Sequence, residues 1–408
     1  MNADVRKIQG ICADLRKRLS EVHLRTFKGM TEPLLLISNA YAGVWLEHVY
    51  DSVIYATLEK DAVSLAETTV RLFIDNMTPD GQLPCLIRDS DPSDTDRIAY
   101  SHIQECVSFA SLCLKVYEMN KDKDFLCECY QAAKKWEAWL RRYRMTTNRG
   151  LVEMFVGFDT GHDNSARLHG LKCPGRYKIN GENVNASVLP EGEEIAPVLA
   201  VDMSCNLYAT DISIAKMAEI LGESDTAKEY YARAKNMKEK LFENCYDKND
   251  RFFYDVDKNG NKRKYLSSTI FHLFMEGVLD PEEDKALINE IYERHVKNPE
   301  EFWTPYPFPS MAVCDESTKE HKSFNCWGYF TQGLIVLRAT LWMDKYGFGD
   351  DLDYIAGKWL DAWTNSYGSF NMGQELDPIS GKPSPSSEWY SSCMLFYIWA
   401  AKRLKIID

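Results

Sequence analysis

The sequence predicts an all-α fold, an (α/α)6 barrel in which six helical hairpins close into a toroid. A helical period runs through nearly every long segment, and the helices recur in pairs with short connectors, about eleven or twelve in all. Strand signals are sparse and short, such as that at Phe252-Phe253-Tyr254. A stacked solenoid is the structural alternative, but no self-similar period supports it.

The elements follow from this period in chain order. Ser52–Met77 is predicted as one helix, because Val53, Leu58, Leu65 and Leu72 fall on or near one face. The further predicted helices are Ile103–Glu118, Asp124–Arg144, Leu207–Leu221, Asp225–Phe242, Leu266–Met275, Glu282–Val296, Trp327–Lys345, Leu352–Asn365 and Trp389–Lys402. Gly222 is the predicted C-cap between two of them.

One large domain, residues 1–408, is the predicted organisation. The chain is 45% hydrophobic and 27% charged, enough for a large core. No Gly/Ser run, Pro-rich stretch or low-complexity tract separates two halves, so the sequence shows no linker.

Charge and cysteine usage narrow the class of protein. The formal net charge of -13 argues against a nucleic-acid partner, which needs basic stripes. The first apolar run, Pro33 to Ile37, is too short for a membrane span or a signal core. The twelve cysteines are scattered, and the close pair Cys127 and Cys129 lacks a second pair at zinc-ligand spacing. We expect reduced thiols in a cytoplasmic protein with no metal, cofactor or membrane partner.

The segment 157–167 carries the strongest functional signal. It places two carboxylates, Asp159 and Asp163, with Asn164 and Arg167 in a glycine-punctuated loop between two predicted helices. A carboxyl held in such a loop can serve as a proton donor, because burial and neighbouring carboxylates raise its pKa.

This run resembles the SGxDNSPR-type signature of glycoside hydrolase family 63 and its trehalase relatives. The resemblance implies that Asp163 is the general acid of an inverting glycosidase with an (α/α)6 barrel. By the same resemblance Asp159 is a carboxylate near the acid, and Arg167 orients Asp163, contacts substrate or forms a structural salt bridge.

Other motifs follow in the order that the family shows. Residues 43–52 resemble its GxW…WDS element, with Trp45 in place and Tyr50 where the family has Trp. The resemblance implies that Asp51 grips sugar hydroxyls, although Asp51 is also a good N-cap for a helix that starts at Ser52. Gln104 stands where the family has a glutamine that touches the glycone.

The C-terminal motif at 373–383 resembles the family's ExxxPxTG loop, whose glutamate is the general base. Counting back from Pro378, Gln374 holds the glutamate position and Glu375 follows one residue later. A one-residue slip makes Glu375 the base, which is our prediction; without it an amide stands where the base should be. Glu388 is a second candidate base.

Aromatic and basic residues complete the predicted site. Trp303, Trp327 and Trp389 offer flat faces that stack on sugar rings, and Trp327 falls where the family shows a WRGPVW run. The basic loop 167–178 follows the acid, and we hypothesise that it holds an anionic leaving group.

The predicted function is hydrolysis of a small soluble α-glucoside or α-mannoside. Two alternatives remain open. A helical-toroid sugar 2-epimerase would use His48 and His162 as acid and base. A carbohydrate-binding protein with an impaired base would bind a saccharide without turning it over.

Overall fold

The computed structural model describes residues 4–38, 41, 43–163, 165–171, 178–179, 182–183, 198–320, 327–369, 371–384 and 389–408. Asn164, Glu388 and residues 172–177 of the basic loop lie outside the described residues, so the hypothesis of an anionic leaving group there stays a prediction.

The described chain is mainly helical. In chain order the α-helices are α1 (Val5–Arg18), α2 (His48–Leu58), α3 (Val63–Asp75), α4 (Phe109–Asn120), α5 (Lys123–Tyr143), α6 (Val201–Leu221), α7 (Ser224–Asn244), α8 (Phe271–Met275), α9 (Lys285–Ile291), α10 (Ser317–Glu320), α11 (Gly333–Ala339), α12 (Gly349–Ser366) and α13 (Ser391–Arg403). Short 3-10 turns precede α3 and α8, and single π-turns follow α1 and α9.

The helices form two concentric layers, which confirms the predicted (α/α)6 barrel. An inner ring is made by α2, α4, α6, α8, α11 and α13. Within it α2 contacts α4, α4 contacts α6, α6 contacts α8, α11 contacts α13, and α13 contacts α2. The outer layer contains α1, α3, α5, α7, α9 and α12, for example α7 packed along α6 and α12 along α13. The ring is closed by the two ends of the chain, since α1 packs against α12 and α13 and Gln9 Nε2 donates to the carbonyl of Ile406.

The strands are two or three residues long and belong to the connectors. They are β1 (Leu24–Thr26), β2 (Pro33–Leu35), β3 (Gly43–Trp45), β4 (Leu86–Arg88), β5 (Ile98–Ala99), β6 (Glu153–Met154), β7 (Lys178–Ile179), β8 (Glu182–Asn183), β9 (Val198–Leu199), β10 (Tyr246–Asp247), β11 (Phe252–Phe253), β12 (Val256–Asp257), β13 (Thr331–Gln332) and β14 (Glu375–Leu376). Antiparallel pairing joins them as β3-β4-β5, β6-β9-β12 and four two-stranded ribbons.

The outer helix α5 shows how local sequence sets a helix. The Asp122 side chain caps its N-terminus by accepting from two backbone N–H groups. In the last turn, the positive charges of Arg141 and Arg142 interact favourably with the negative end of the helix dipole. Its apolar residues fall on the face that is buried against the inner ring. The inner helix α6 is instead buried over most of its surface and ends at Gly222, whose φ of 84° confirms the predicted C-cap.

Three sequence-based expectations for residues 1–77 are wrong. The predicted helix Ser52–Met77 is an inner and an outer helix, α2 and α3, which meet at an extended Glu59. No Gly or Pro marks this break, so the helical period alone predicts one continuous helix. Helix α1 was missed, although Ile8, Cys12 and Leu15 lie on its buried face.

The third error concerns Asp51, which is not an N-cap. Helix α2 begins at His48, four residues earlier than predicted, so Asp51 lies inside its first turn. The N-cap residue of α2 is Glu47, which makes no side-chain capping bond.

Apolar side chains from Ile8 to Ile406 form one continuous buried cluster. Among the described residues, no helix combines the length and the hydropathy that a bilayer-crossing segment requires.

Gly333, the first residue of α11, is predicted to be a packing requirement. A Cβ atom at this position would lie 2.1 Å from Cys393 Sγ of α13. We expect Gly333→Ala to lower the free energy of unfolding by about 1–3 kcal/mol through overpacking, measured by chemical denaturation. Gly357→Ala in α12 is the matched control, since nothing lies within 4 Å of its Cβ position. That change should stabilise the helix by about 0.5–1 kcal/mol, and an equal loss in both variants would contradict the packing argument.

Candidate active site

Polar side chains collect at the N-terminal ends of the inner helices. The connectors that enter these helices carry nearly every residue singled out from the sequence. They are Trp45, Tyr50 and Asp51 at α2, Gln104 before α4, Asp159, Asp163 and Arg167 before α6, Trp327 before α11, Gln374 and Glu375 in the β13–β14 ribbon, and Trp389 before α13. Segments that are far apart in sequence therefore meet on one rim of the barrel.

Backbone strain marks the same rim. Gln104, Phe308, Trp327 and Trp389 have positive φ angles of 62°, 72°, 42° and 57°. Large side chains rarely adopt this region, and strain of this kind concentrates at functional sites because the surrounding fold must hold it.

The loop from 157 to 171, called the acid loop here, is anchored by Asp159. This carboxylate pairs with Arg144 of the α5 end at 2.6 Å and accepts the backbone N–H groups of Ile103, Phe155 and Val156 at 2.9–3.1 Å. Although burial acts to raise the pKa of Asp159, the Arg144 charge and these hydrogen bonds hold it below its usual range. Asp159 is 0% exposed, so its contacts are those of an anchoring carboxylate.

Arg167 is a structural cation at the other end of the acid loop. Its guanidinium lies 3.0 Å from Asp202, in the first turn of α6, and 3.4 Å from Asp255 next to β12. Among the three roles that the resemblance left open, these contacts favour the salt bridge.

His162 and Asp163 lie at the centre of the acid loop. The His162 ring stacks on Trp327 with 4.2 Å between centroids. Its Nε2 is 3.3 Å from Nη1 of Arg338, a residue of α11. A guanidinium only donates, so Nε2 accepts, and the ring is neutral with its proton on Nδ1. Burial and the charges of Arg338 and Arg167 likewise hold the pKa of His162 well below its usual range. Asp163 itself is partly buried in the turn that follows.

The candidate base lies in the β13–β14 ribbon, directly before α11. Glu375 pairs with Gln332 in register and is 0% exposed. Its carboxylate accepts hydrogen bonds from Gln332 Nε2 and, at 3.1 Å, from the Ser384 hydroxyl. Gln374 is 2% exposed, and its backbone carbonyl accepts from the N–H of Gly333. Its side-chain Oε1 is buried without a hydrogen-bond partner among the described residues.

The N-terminal end of α2 contributes a second carboxylate. Asp51 accepts from the hydroxyls of Ser391 and Ser392 in the first turn of α13. Tyr50 is in the core, where its hydroxyl donates to the carbonyl of Leu337 at 2.9 Å. This internal contact makes Tyr50 a link between α2 and α11, in place of the substrate contact expected from sequence.

Gln104 and Trp45 surround one histidine. Gln104 Oε1 lies 2.8 Å from Nε2 of His102, and the Trp45 ring centroid is 5.8 Å from that of His102. The aromatic and amide groups expected from sequence at α2 and α4 therefore form one cluster.

Two of the tryptophans differ from expectation. Trp303 stacks on Tyr354 of the outer helix α12 at 5.6 Å, so it does not line the rim. Trp389 is on the rim, but the Arg18 guanidinium covers its ring at 3.6 Å. A hydrophobic residue in a connector packs on whichever layer is nearer, which sequence does not specify.

Sequence reasoning missed several buried polar residues inside the ring: Glu105, Asp202, His272, Glu276 and Arg338. The sequence does carry a signal for Arg338, which is the one charge in the otherwise apolar helix GLIVLRA of α11.

Glu105 and Glu276 are buried carboxyls. Burial raises the pKa of Glu105 to about 7 and that of Glu276 to about 8. Within the described ranges no cluster of His, Cys, Asp and Glu has the geometry to hold a metal ion.

Comparison with known sequences gives a match over two thirds of the chain. The sequence profile of the mannosylglycerate hydrolase MGH1-like glycoside hydrolase domain matches residues 53–328. An uncharacterized protein of Borreliella burgdorferi is 26% identical over 150 residues, 37% of this chain and 30% of that protein. A probable trehalase of Eremothecium gossypii is 23% identical over 220 residues, 52% of this chain and 26% of that protein. The chain spans less than a third of the length of these two relatives.

Solved structures show the same fold. The mannosylglycerate hydrolase of Thermus thermophilus in complex with glucose superimposes with a TM-score of 0.71 at 16% identity, covering 95% of this chain and 99% of that chain. Neutral trehalase from Saccharomyces cerevisiae superimposes with a TM-score of 0.67 at 16% identity, covering 93% and 77% of the two chains. At these identities the likeness establishes the shared (α/α)6 barrel.

Replacing Asp159 is predicted to destabilise the whole acid loop. Asp159→Asn breaks the buried ion pair with Arg144, which costs about 3–5 kcal/mol of unfolding free energy. Because the pKa of Asp159 is lowered on folding, the wild-type advantage should be complete above the ordinary Asp pKa and lost as the pH falls through the folded value. Denaturant unfolding at pH 7 measures the loss of unfolding free energy, and unfolding at stepwise lower pH measures how that loss depends on pH. Asp225→Asn, at a fully exposed aspartate, is the control and should change stability little.

Glu276 is predicted to make the protein less stable at alkaline pH. Its pKa rises from 4.5 to about 8 on folding, so the folded state keeps a proton that the unfolded state releases. The free energy of unfolding should fall as the pH rises between those values, by on the order of a few kcal/mol in all. Glu276→Gln keeps the oxygen that accepts from Ser108 N–H and should flatten the dependence. The exposed Glu239→Gln should leave it unchanged, and a wild-type profile in Glu276→Gln would refute the assignment.

Proposed function

Because the chain belongs to the family of mannosylglycerate hydrolase MGH1-like glycoside hydrolase domains, we propose that it is an inverting exo-α-glycosidase that acts on a small soluble α-glucoside or α-mannoside. The names of its structural relatives, a mannosylglycerate hydrolase and a trehalase, support a small glycoside as substrate. We further propose that residues 1–408 form one catalytic domain and work in the cytoplasm without a cofactor.

The observation that carries the proposal is the convergence of the acid loop and the β13–β14 ribbon on α11. Glu375 pairs with Gln332, the residue before α11, while His162 accepts from Arg338 within that helix. The connector that carries Asp163 and the connector that carries Glu375 therefore both contact α11 or the residue before it, although 212 positions separate the two carboxyls in sequence. Inverting hydrolysis requires two carboxyls about 6.5–9.5 Å apart, with a water between base and anomeric carbon.

In the proposed mechanism Asp163 protonates the leaving oxygen of the glycoside. The neighbouring His162, wedged between Trp327 and Arg338, restrains the loop, and Asp159 fixes its far side. A restrained donor is effective because the proton transfer needs a short, aligned hydrogen bond to the leaving oxygen.

Glu375 acts as the base that removes a proton from the attacking water. The hydrogen bonds from Gln332 and Ser384 orient its two oxygens. Water then attacks from the face opposite the leaving group, and the anomeric configuration inverts. The proposed contacts to the sugar are Asp51, Gln104, Trp45, Trp327 and Gln374, and Tyr50 and Arg167 are positioning residues.

A second candidate function is carbohydrate binding without hydrolysis. Gln374 supports it, because this amide occupies the family's base position and its Oε1 is buried without a hydrogen-bond partner in the described part of the chain. An epimerase has less support. Nδ1 of His48 accepts from the backbone N–H of Trp45, and Nε2 of His162 accepts from Arg338, so one nitrogen of each ring is already engaged.

The test is proton NMR of the anomeric signal during incubation with small α-glucosides and α-mannosides. We expect the β-anomer to appear first. Asp163→Asn and Glu375→Gln should each lower kcat by about 10²–10⁴-fold, since each removes one proton-transfer group. Release of the α-anomer first would contradict the inverting mechanism.

Gln374→Glu separates the two candidate functions. If Glu375 is the base, a second carboxylate beside it adds no activity. Saccharide binding by calorimetry with no turnover in the wild type, and turnover gained in Gln374→Glu, would replace the hydrolase proposal by the binding protein.

A further inference from the structure

Arg338 is a buried cation that lacks an anion. Its side chain is 4% exposed, and no carboxylate lies within ion-pair distance of it in the described part of the chain. Its one hydrogen bond is the donation from Nη1 to His162, while Nε and Nη2 have no partner. A buried, uncompensated guanidinium is costly, so the fold must supply something in its place.

The residues that carry the unpartnered atoms line one narrow space next to the acid loop. A small cavity behind His162 is lined by Arg338, Ser268 and His272, with apolar walls from Phe271, Met275, Ile335 and Trp342. The hydroxyl of Ser268 and Nδ1 of His272 are also buried without a hydrogen-bond partner. The space has room for one small body.

Each polar group that lines this cavity can donate. The guanidinium has only N–H donors, the serine hydroxyl rotates freely, and the neutral His272 ring can carry its proton on Nδ1. The Glu276 carboxyl does not serve as a counter-charge to Arg338. Its pKa is raised to about 8, so it is largely protonated at neutral pH. Donors without an acceptor, a net positive charge and apolar walls together describe an anion site.

We propose that this cavity binds a single halide ion, chloride under ordinary conditions, held by Arg338, His272 and Ser268. The ion supplies the missing counter-charge and a partner for the unused donors of these three residues. Larger anions such as gluconate are excluded because the cavity is small. Any effect of the ion on hydrolysis, through His162 and the adjacent Asp163, rests on the proposed function, whereas the site itself does not.

Bromide provides the direct test on the unmodified protein. Crystals grown in sodium bromide should give an anomalous peak at the bromine edge inside the cavity, in contact with the Arg338 guanidinium. Density there without an anomalous signal, which is the behaviour of an ordered water only, would overturn the proposal.

A solution test uses thermal unfolding in sodium chloride against sodium gluconate at equal ionic strength. Chloride should raise the Tm of the wild type in a saturating manner, because a ligand that binds the folded state alone stabilises it by mass action. Arg338→Met should lose the chloride-specific rise and Ser268→Ala should need more chloride for it. Arg403→Gln removes an arginine that is ion-paired on the surface and should keep the wild-type response.

Equal Tm values for the wild type in the two salts would also refute the halide site. If Arg338→Met does not fold, Ser268→Ala and the bromide peak still decide the question. No measurement here uses a glycoside, so a failed halide site and a failed glycosidase assignment give different results.

Discussion

The buried ion pair between Arg144 and Asp159 determines where the acid loop can be. Asp159 binds one cation and three backbone N–H groups from two connectors, so a single carboxylate joins the end of α5, the entry to α4 and the loop itself. The desolvation of both charges is offset because each oxygen has several donors. Asp163, the proposed general acid, lies four residues after Asp159, so the ion pair restrains its position.

A second restraint reaches the acid loop from α11 and the connector before it. Arg338 of α11 donates to His162, and Trp327 covers the ring of the same histidine. The helix that carries Arg338 begins immediately after the ribbon that carries Glu375. The segments that carry the two proposed catalytic carboxyls therefore both contact α11 or the residue before it, and a small rotation of this helix would move both segments. Gly161 adds to the fit, since a Cβ atom there would lie 2.7 Å from the Glu47 carboxylate.

The sequence was sufficient for the fold and for the rim, because both depend on local signals. Helical periods and short connectors predicted the two layers, and glycine-rich polar segments marked the connectors that enter the inner helices. The sequence was insufficient where a tertiary contact determines the local structure. The break at Glu59 has no Gly or Pro, and Trp303 packs outward on Tyr354 because that surface is nearer. Arg338 was missed because its partner, His162, lies 176 positions away.

Ring closure has a consequence for how this protein folds. The contacts between α1 and α13 join residues about as far apart as the chain allows, as in the bond from Gln9 to Ile406. Hairpins such as α6 with α7 can form early from neighbouring residues, whereas the first and last helices meet only after the intervening layers are ordered. We therefore expect the ring to close late in folding, when the cation–π contact of Arg18 with Trp389 forms. Assembly of the proposed site and completion of folding would then be one event.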